Sequence, residues 1–414
     1  MKDIFLLSLI VLLLSFSIFS CNKDDDGIKP TANISTPAEL TAALSEIYNQ
    51  SEAPGFAVSV VKNDQIVYQE TFGHADIAAN QAYANPTTQP IGSISKTFIA
   101  AALVKAIEQG HFSLETDIND ILPVELKNPN QPNATIQVKH LVTHTSGLVD
   151  QQAAYFQAYH ILPGEDVSTA GGQLLQTGFG LQQRATIPLE EFLAEYYLED
   201  GDFYSLENFT PTAPGSVWQY SNIASSLAAY LIETATETPF KDYVKTQILE
   251  PLGMTNTAYN QAELDPAHLA KLYWDKDTPL PAYGNDSYPD GSLISCNEDL
   301  AKYLVDMMKG AKGQSTTLFS RESYELLFSA LLPNGVTPPV VGDNQGIFWL
   351  LEDGDIKHDG SDPGTTCNLQ FDANGEAGYL LLTNMDASTD EHENAWYQLA
   401  EKIHSAIAEF VHAE

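Results

Sequence analysis

Segments that favour β-strands lie near both ends of this 414-residue chain, and the long middle between them is mainly helical in pattern. Near the N-terminus, GFAVSVVK (55–62) and QIVYQETF (65–72) flank an Asn-Asp pair that is typical of a hairpin turn. Further β-prone segments occupy 346–352, 356–360, 367–372 and 378–384, and helical spacing follows from Ala395 to Val411. Strands from the two ends can pair if the middle is inserted between them. The sequence therefore predicts one antiparallel sheet flanked by helices, an α/β (α+β) sandwich with an inserted, mainly helical region.

The folded domain is predicted to cover residues 37–414. Its first helix is marked by Thr36, Pro37 and Glu39, which form a capping box with proline at the first helical position. A Gln-rich stretch from Gln151 to Gln183 has weak periodicity and is predicted to form loops over the helical part. The sheet part is expected at about 37–95 and 335–414, and the mainly helical part at about 96–334.

Residues 4–20 are uncharged and mostly apolar, follow a single lysine and end at Cys21. The run is short for a membrane-spanning helix and typical of a secretion signal. With the small Ser20 before Cys21 it resembles a bacterial lipoprotein signal, which implies a signal peptide at 1–21 and a lipid on Cys21. An uncleaved membrane anchor is the alternative. The polar segment 22–36 is expected to be a flexible tether.

These features predict an exported protein that a lipid holds at the outer membrane or cell surface, with the periplasmic face as the alternative. The run of Asp24, Asp25 and Asp26 resembles the surface-export tether of some Gram-negative lipoproteins. Lys and Arg total 19 against 55 Asp and Glu, which gives a formal net charge of −36. Such a field repels nucleic-acid phosphates, so no nucleic-acid partner is expected. We attribute the charge to solvation of an exported surface.

Neither a metal nor another cofactor is predicted. The chain contains no CxxC or HExxH pattern. His140 and His144 stand at i and i+4 and would share a face on a helix, but no third ligand is evident nearby, so a metal-dependent hydrolase is a minor alternative. If Cys21 carries a lipid, Cys296 and Cys367 remain, and a disulfide between them is left open.

Ser93 and Lys96 lie in the segment IGSISKTFIAAALVKAIEQG and present a hydroxyl and an amine at i and i+3. On a helix that runs to Gly110, the two side chains share one face. An apolar setting would favour the neutral form of the lysine, which could then take the proton of the serine. Ser20 to Lys23 and Ser59 to Lys62 also read SxxK, but the first straddles the predicted cleavage point and the second lies in a strand.

Two further segments carry groups suited to the same chemistry. Tyr220 and Asn222 follow a Pro-Gly turn and precede a helix of small residues. His358 and Gly360 stand among the C-terminal strands, and the absent side chain of Gly360 would let a substrate backbone approach. The other YxN sequences lie in loops with no apolar helix after them and are discounted.

In this order, SxxK, YxN and the HxG strand resemble the serine β-lactamase and penicillin-binding-protein superfamily. The tyrosine of the second motif makes the chain similar to the branch that holds class C β-lactamases, D-alanyl-D-alanine carboxypeptidases, D-aminopeptidases and related esterases. Similarity extends over about residues 37–412, through segments such as PGFAVSVVKND, VKHLVTHTSGL and GSDPGTT. The resemblance implies a β-lactamase/transpeptidase-like fold and a serine acyl-enzyme.

The resemblance also implies catalytic roles for the matching residues. Ser93 would be the nucleophile, Lys96 its activating partner, and Tyr220 the general base that later protonates the leaving group. The backbone N–H groups of Ser93 and Ser361 would form the oxyanion hole. A helix N-terminus at Ser93 would add a favourable dipole.

On the substrate side, the resemblance implies that Asn222 holds the amide and that His358 takes the cation position of the third motif. The family presents Lys-Thr-Gly or His-Thr-Gly there, whereas this chain has Asp359 in the middle. A carboxylate at this place would repel a substrate carboxylate, and histidine is only partly charged near neutral pH. Strand alternation could also point Asp359 away. We expect β-lactams and free-carboxylate D-Ala peptides to be poor substrates, and esters or amine-bearing peptides to be preferred.

The predicted function is therefore that of an exported serine hydrolase acting on an amide or ester, as a peptidase, an esterase or a weak β-lactamase. Its partners would be a small-molecule or peptide substrate and, through the lipid, a membrane. The alternative is a non-catalytic surface lipoprotein that binds peptidoglycan-like fragments in the same cleft. The sequence leaves the oligomeric state open.

Overall fold

The structure, a computed structural model, describes residues 34–314, 317–339 and 342–413. The predicted signal peptide, Cys21 and most of the predicted tether lie outside these residues. The helices are α1 (Pro37–Asn49), α2 (Ser95–Glu108), α3 (Val138–Val142), α4 (Gln152–Tyr155), α5 (Ala170–Gln173), α6 (Leu189–Tyr197), α7 (Asn222–Thr236), α8 (Phe240–Val244), α9 (Glu250–Leu252), α10 (Asn297–Ala311), α11 (Arg321–Leu327) and α12 (Asp390–His412). The strands are β1 (Gly55–Lys62), β2 (Gln65–Asp76), β3 (Gln81–Ala82), β4 (Thr88–Pro90), β5 (Tyr159–Ile161), β6 (Gln182–Gln183), β7 (Tyr273–Asp275), β8 (Thr278–Pro279), β9 (Tyr283–Asn285), β10 (Ile294–Cys296), β11 (Asn344–Gln345), β12 (Leu350–Glu352), β13 (Asp355–Asp362), β14 (Thr365–Asp372) and β15 (Ala377–Thr383).

Both ends of the chain build one antiparallel sheet. Its strand order is β11-β12-β13-β14-β15-β1-β2-β3, so that the C-terminal strand β15 pairs with the N-terminal strand β1. On its other edge β1 pairs with β2 across Asn63 and Asp64, which take left-handed φ values of 52° and 66°. Such values belong to a two-residue hairpin turn. The predicted antiparallel sheet built from both chain ends, with helices around it, is confirmed.

Different helices cover the two faces of the sheet. Alternate residues of β1 point to opposite faces: Phe56 and Val58 pack in the core with α1 and α12, whereas Ala57 packs in the larger core that contains α2 and α10. Helix α1 begins at the predicted capping box, where Thr36 and Glu39 each accept a hydrogen bond from the other's backbone N–H. The sheet is therefore the middle layer of a sandwich.

Helix α2 is enclosed on all sides, because every residue from Ser95 to Val104 is buried. The helices α7, α8 and α11 pack against it, and Phe98 stacks on Tyr303 of α10 at 4.3 Å between ring centroids. This burial holds the turn in front of α2 at the boundary between the sheet and the helical region. Across the described ranges, no helix has both the length and the apolar character that a membrane span requires.

The middle of the chain is less uniformly helical than predicted. Strand β5 pairs with β6 and β9, β7 pairs with β8, and β10 pairs with β4. The Gln-rich stretch, predicted to form loops, contains α4, β5, α5 and β6. The strand predicted at 346–352 begins only at Leu350, because Phe348 takes a left-handed φ of 55°. These elements are too short to show a periodic pattern in the sequence.

Candidate active site

Ser93 lies in a tight 3-10 turn, Gly92–Ile94, that leads directly into α2. The predicted helix N-terminus is therefore two residues later, at Ser95. Strand β13 packs against the turn: a β-carbon on Gly360 would lie 2.0 Å from the carbonyl oxygen of Ile91 and 3.0 Å from the nitrogen of Ser93. Gly360 thus permits the approach of the serine turn itself, which corrects the prediction that it makes room for a substrate backbone.

The backbone of Ser361 takes part in the same close contact. A β-carbon on Gly92 would stand 2.5 Å from the nitrogen of Ser361 and 2.8 Å from the carbonyl carbon of Gly360. The main-chain nitrogens of Ser93 and Ser361 therefore each lie beside the glycine of the opposite segment. The fold brings together the two predicted oxyanion donors, which are far apart in sequence.

Lys96 is completely buried, and its ammonium group has three acceptors, the number that it can satisfy. Nζ donates to Ser93 Oγ at 3.0 Å, to Asn222 Oδ1 at 2.7 Å and to the backbone carbonyl of Asp290 at 2.7 Å. The i, i+3 spacing does bring the serine and the lysine into contact. The environment of Nζ is polar, however, and not apolar as predicted, because two distant segments each supply an oxygen atom.

Tyr220 lies over the same lysine. Its ring centroid is 5.0 Å from Lys96 Nζ, which is within cation–π range. The ring also packs 4.5 Å from the imidazole of His144. In the part of the chain that the structure describes, no hydrogen bond joins the Tyr220 hydroxyl to Ser93 or Lys96. The structure therefore brings the tyrosine to the site through its ring, and its hydroxyl is available to a substrate.

Asn222 begins α7, and Asp150 fixes the orientation of its amide. One carboxylate oxygen of Asp150 accepts from the backbone N–H of Asn222 at 2.9 Å and from its Nδ2 at 2.8 Å. The other accepts from Ser221 Oγ and from the backbone N–H of Ile223, both at 3.0 Å. Because Nδ2 points to the carboxylate, Oδ1 must point to Lys96. Asp150 was not predicted, since it precedes Asn222 by 72 residues and belongs to no local motif.

His144 also belongs to the site, whereas the sequence offered it only as a minor candidate for a metal ligand. It is buried with a left-handed φ of 53°, and its Nδ1 accepts from the backbone N–H of Ser221 at 3.2 Å. Burial lowers the pKa of His144 well below its ordinary value, so the imidazole is neutral. Helix α3 ends before His144, and Nδ1 of His140 accepts from the backbone N–H of Gln137 at 3.0 Å. The two imidazoles therefore do not share a helix face, and each has a structural hydrogen bond.

His358 is buried on the face of the sheet that carries Gly360. Burial, together with the charge of Lys96, lowers the pKa of His358 to about 3, so the ring is neutral at physiological pH. Its Nδ1 donates to the backbone carbonyl of Asp359 at 2.7 Å, which leaves Nε2 with a lone pair. The residue at the cation position of the third motif is therefore neutral and offers a hydrogen-bond acceptor.

Asp359 points away from the serine turn. In the register of the sheet it stands in one row with Asn368, Leu381 and Val58, and the last two belong to the core under α1 and α12. The Asn368 amide donates to its carboxylate. The prediction that Asp359 repels a substrate carboxylate is wrong, because strand alternation directs it to the face opposite His358.

Two more buried carboxyl groups lie near the lysine. Asp290, whose carbonyl accepts from Lys96, directs its carboxylate to the hydroxyl of Tyr155 at 3.0 Å. Asp362 accepts from the hydroxyl of Tyr159 at 2.8 Å. Burial raises the pKa of Asp290 to about 6 and that of Asp362 to about 7. Neither aspartate was predicted, because both stand in Gly- and Pro-containing sequence that is typical of turns.

Cys296 and Cys367 are buried, and both thiols are free. Cys296 ends β10, and Cys367 lies in β14, where Gln89 Nε2 donates to its sulfur at 3.6 Å. The disulfide that the sequence left open is therefore not formed in this structure.

Comparison with known proteins identifies relatives over most of the chain. The Beta-lactamase family profile matches residues 40–403. The putative penicillin-binding protein PbpX of Bacillus subtilis (strain 168) is 25% identical over 362 residues, which cover 86% of this chain and 78% of that protein. Esterase EstB of Burkholderia gladioli is 28% identical over 257 residues, which cover 60% of this chain and 58% of that esterase.

Solved structures show the same fold. An octameric penicillin-binding protein homologue from Pyrococcus abyssi superposes with a TM-score of 0.68 at 25% identity, over 89% of this chain and 77% of that one. A class C beta-lactamase superposes with a TM-score of 0.64 at 17% identity, over 89% of this chain and 96% of that one. Because the family match spans most of the sequence, this chain belongs to the Beta-lactamase family of serine hydrolases.

Proposed function

We propose that the protein is an exported hydrolase that cleaves an amide or ester through an acyl-enzyme on Ser93. The observation that carries this proposal is the 3.0 Å contact between Ser93 Oγ and the buried Lys96 Nζ. Burying a lysine is costly unless its charge or its hydrogen bonds are used. The chain holds this one with acceptors from Asn222 and Asp290, directly against the serine.

In the proposed acylation, Ser93 Oγ attacks the carbonyl carbon of the substrate. In the form that reacts, the pair of Lys96 and Tyr220 has first given up one proton, so the pair can accept the hydroxyl proton of Ser93 as the tetrahedral oxyanion forms. The C–N or C–O bond of the substrate then breaks, and the leaving amine or alcohol takes that proton from Tyr220. Water repeats these steps on the serine ester and releases the acid and the free Ser93 hydroxyl.

The negative oxygen of the intermediate would lie between the backbone N–H groups of Ser93 and Ser361. The close packing of Gly92 against Ser361 and of Gly360 against Ser93 supports this role, since both nitrogens lie at one contact. Donors that are held in place before the reaction stabilise the oxyanion without reorganisation. The contact of Asn222 with the amide of the substrate remains a prediction.

We further propose that esters and amine-bearing substrates are preferred over β-lactams and free-carboxylate D-Ala peptides. The support for this preference is the neutral ring of His358 at the position where a cation would hold a carboxylate. The relatives include a putative penicillin-binding protein and an esterase, which is compatible with either class of substrate.

The test exposes the full chain, Ser93→Ala and Ser45→Ala to a fluorescent penicillin and a p-nitrophenyl ester, with intact-mass detection. Ser45 lies in α1 and is the matched control. We expect ester turnover, and a penicillin adduct that retains the whole penicillin mass because ring opening releases no group. Both should survive in Ser45→Ala, and turnover should fall about 1000-fold or more in Ser93→Ala.

Several results would count against the proposal. Ester turnover that persists in Ser93→Ala would exclude Ser93 as the nucleophile. Faster turnover of penicillin than of the ester would refute the proposed preference. Binding of peptidoglycan fragments with no adduct and no turnover of either probe would favour the non-catalytic surface lipoprotein.

The export part of the proposal depends on Cys21, which the described residues do not include. The support is the apolar segment 4–20 directly before it. Expression in a bacterium that processes lipoproteins, with an alkyne fatty acid in the medium, should label the wild type and Cys296→Ala but not Cys21→Ala. Equal labelling of the wild type and Cys21→Ala would refute the lipid anchor.

A further inference from the structure

A cavity of about 790 Å³ lies beside the strands that lead to the serine turn. Its wall includes β4, the β9 strand and Asp362 at the end of β13. The Gln-rich segment and the sequence after it contribute Leu162, Glu165 and the range 187–189. This segment is held in place by the β5–β9 pairing. The volume of the cavity suits a small molecule or a peptide side group.

Asp362 connects this cavity to the serine turn. It lies on the same face of β13 as Gly360, and its Oδ1 accepts from Tyr159 of the Gln-rich segment at 2.8 Å. A β-carbon placed on Gly291 would be 3.4 Å from Asp362 Oδ2 and 4.0 Å from the carbonyl carbon of Gly92. A gap about as wide as one methyl group therefore lies between Asp362 Oδ2 and the turn that carries Ser93.

We propose that this cavity receives the acyl side of the substrate and that the Asp362 carboxylate binds a protonated amine there. The proposal rests on the proposed function, because it names the substrate class of the same serine. An ammonium group would give Asp362 Oδ2 a donor that none of the described residues supplies. The ligand is thus an amide or ester whose acyl part carries a primary amine, such as a peptide with a free amino terminus.

The charges around the cavity favour this choice over an anionic acyl group. Asp362 is the buried charged group at the inner end, and Glu165 adds a second carboxylate to the wall. Lys241 and Lys271 also line the cavity, but Lys241 is paired with Asp242 at 2.8 Å. A substrate carboxylate that approached Asp362 would meet like charge.

The ionisation of Asp362 predicts how pH acts on the preference. Burial raises its pKa to about 7, and the nearby charged or titratable groups are Tyr159, Tyr283, Asp290, Asp386 and Lys96. The alkyl ammonium of a 4-aminobutyryl or 6-aminohexanoyl group stays protonated to about pH 10, whereas an α-amino group loses its proton near pH 8. The amine preference should therefore rise as pH increases through about 7, where the carboxylate forms. It should level off above pH 7 for the two longer amines and fall again near pH 8 for an α-amine.

The test uses p-nitroanilides of glycine, 4-aminobutyrate and 6-aminohexanoate, each against an uncharged acyl group of equal length. We expect the amine form to be preferred at one or more lengths. In Asp362→Asn, that preference should fall about 30-fold, the loss typical of removing one partner of a buried charge pair. The exposed Asp200 provides the control Asp200→Asn, which makes the same change in net charge and should keep the preference.

Two further measurements keep the outcome clear. If Asp362→Asn does not fold, the wild-type pH profile decides, and an amine preference that is flat from pH 5 to 9 overturns the proposal. Calorimetric binding of the same probes to Ser93→Ala measures recognition without turnover. Hydrolysis with no amine preference, or a preference unchanged in Asp362→Asn, overturns the proposal while the serine mechanism stands. If the wild type hydrolyses none of the probes but the amine form binds, and this binding is lost in Asp362→Asn, the catalytic function is refuted and the amine site is supported.

Discussion

Replacing Asp150 with alanine would remove the acceptor that organises the start of α7. Its two carboxylate oxygens accept from Ser221 Oγ, from the backbone N–H groups of Asn222 and Ile223, and from Asn222 Nδ2. These distances lie between 2.8 and 3.0 Å. The change would leave buried donors without an acceptor, and the Asn222 amide would lose the contact that points Oδ1 to Lys96.

The expected magnitude follows from these contacts. Hydrogen bonds to a charged group contribute about 1.5–3 kcal/mol each, but the carboxylate is itself buried, and burial raises the pKa of Asp150. The cost of that desolvation offsets much of the free energy that the four hydrogen bonds contribute. Removing one partner from a buried charged network costs about 3–5 kcal/mol, so we expect the free energy of unfolding of Asp150→Ala to fall by that amount.

The assay is urea denaturation of the wild type, Asp150→Ala and Ser320→Ala. Ser320 caps α11 at an exposed site by accepting from the backbone N–H of Ser323, so its loss should cost only about 1 kcal/mol. Ester turnover by the folded Asp150→Ala fraction should also fall, because Asn222 no longer orients Lys96. A loss of stability no larger than that of Ser320→Ala, with unchanged turnover, would refute the assigned role of Asp150.

Two other residues allow equally direct tests. Burial keeps His358 neutral down to a pKa of about 3 in the folded protein, whereas the unfolded chain binds a proton at this histidine below about pH 6.5. The free energy of unfolding of the wild type should therefore fall by about 1.4 kcal/mol more than that of His358→Gln for each pH unit below 6.5. If denaturation at pH 7 and pH 5 shows the same loss of stability in both proteins, the ring is not neutral in the folded state. Gly360→Ala should displace the serine turn, since its β-carbon would meet the Ile91 oxygen at 2.0 Å, and slow acylation about 100-fold. The control Gly178→Ala, which meets only a flexible leucine side chain, should acylate normally, and normal acylation of Gly360→Ala would show that the turn can shift without loss.

The elements that the sequence predicted depend on residues close together in the chain. The capping box at Thr36 and Glu39 spans three residues, and the hairpin at Asn63 and Asp64 needs only the two residues that take left-handed φ values. The β-prone segments near both ends of the chain predicted the antiparallel sheet. Such patterns are set by the local periodicity of strands and helices, so they can be recognised without knowing any distant contact.

The central pair of the site is also local. Ser93 and Lys96 are three residues apart, and a helical turn places their side chains on one side whatever the rest of the fold does. The rejected SxxK of Ser59 and Lys62 lies inside β1, where the same spacing turns the side chains to opposite faces. The sequence was therefore sufficient to choose between these two candidates.

The environment of that pair was decided by the tertiary structure. Asp290 lies 194 residues from the lysine that its carbonyl binds, and Asp150 lies 72 residues before the asparagine that it orients. The direction of Asp359 depends on the register of β13 against β14, and the neutral state of His358 depends on burial. Residue types and local spacing determined which groups could react, whereas contacts between distant segments determined their charge, orientation and access, because electrostatics and desolvation depend on three-dimensional surroundings and not on sequence neighbours.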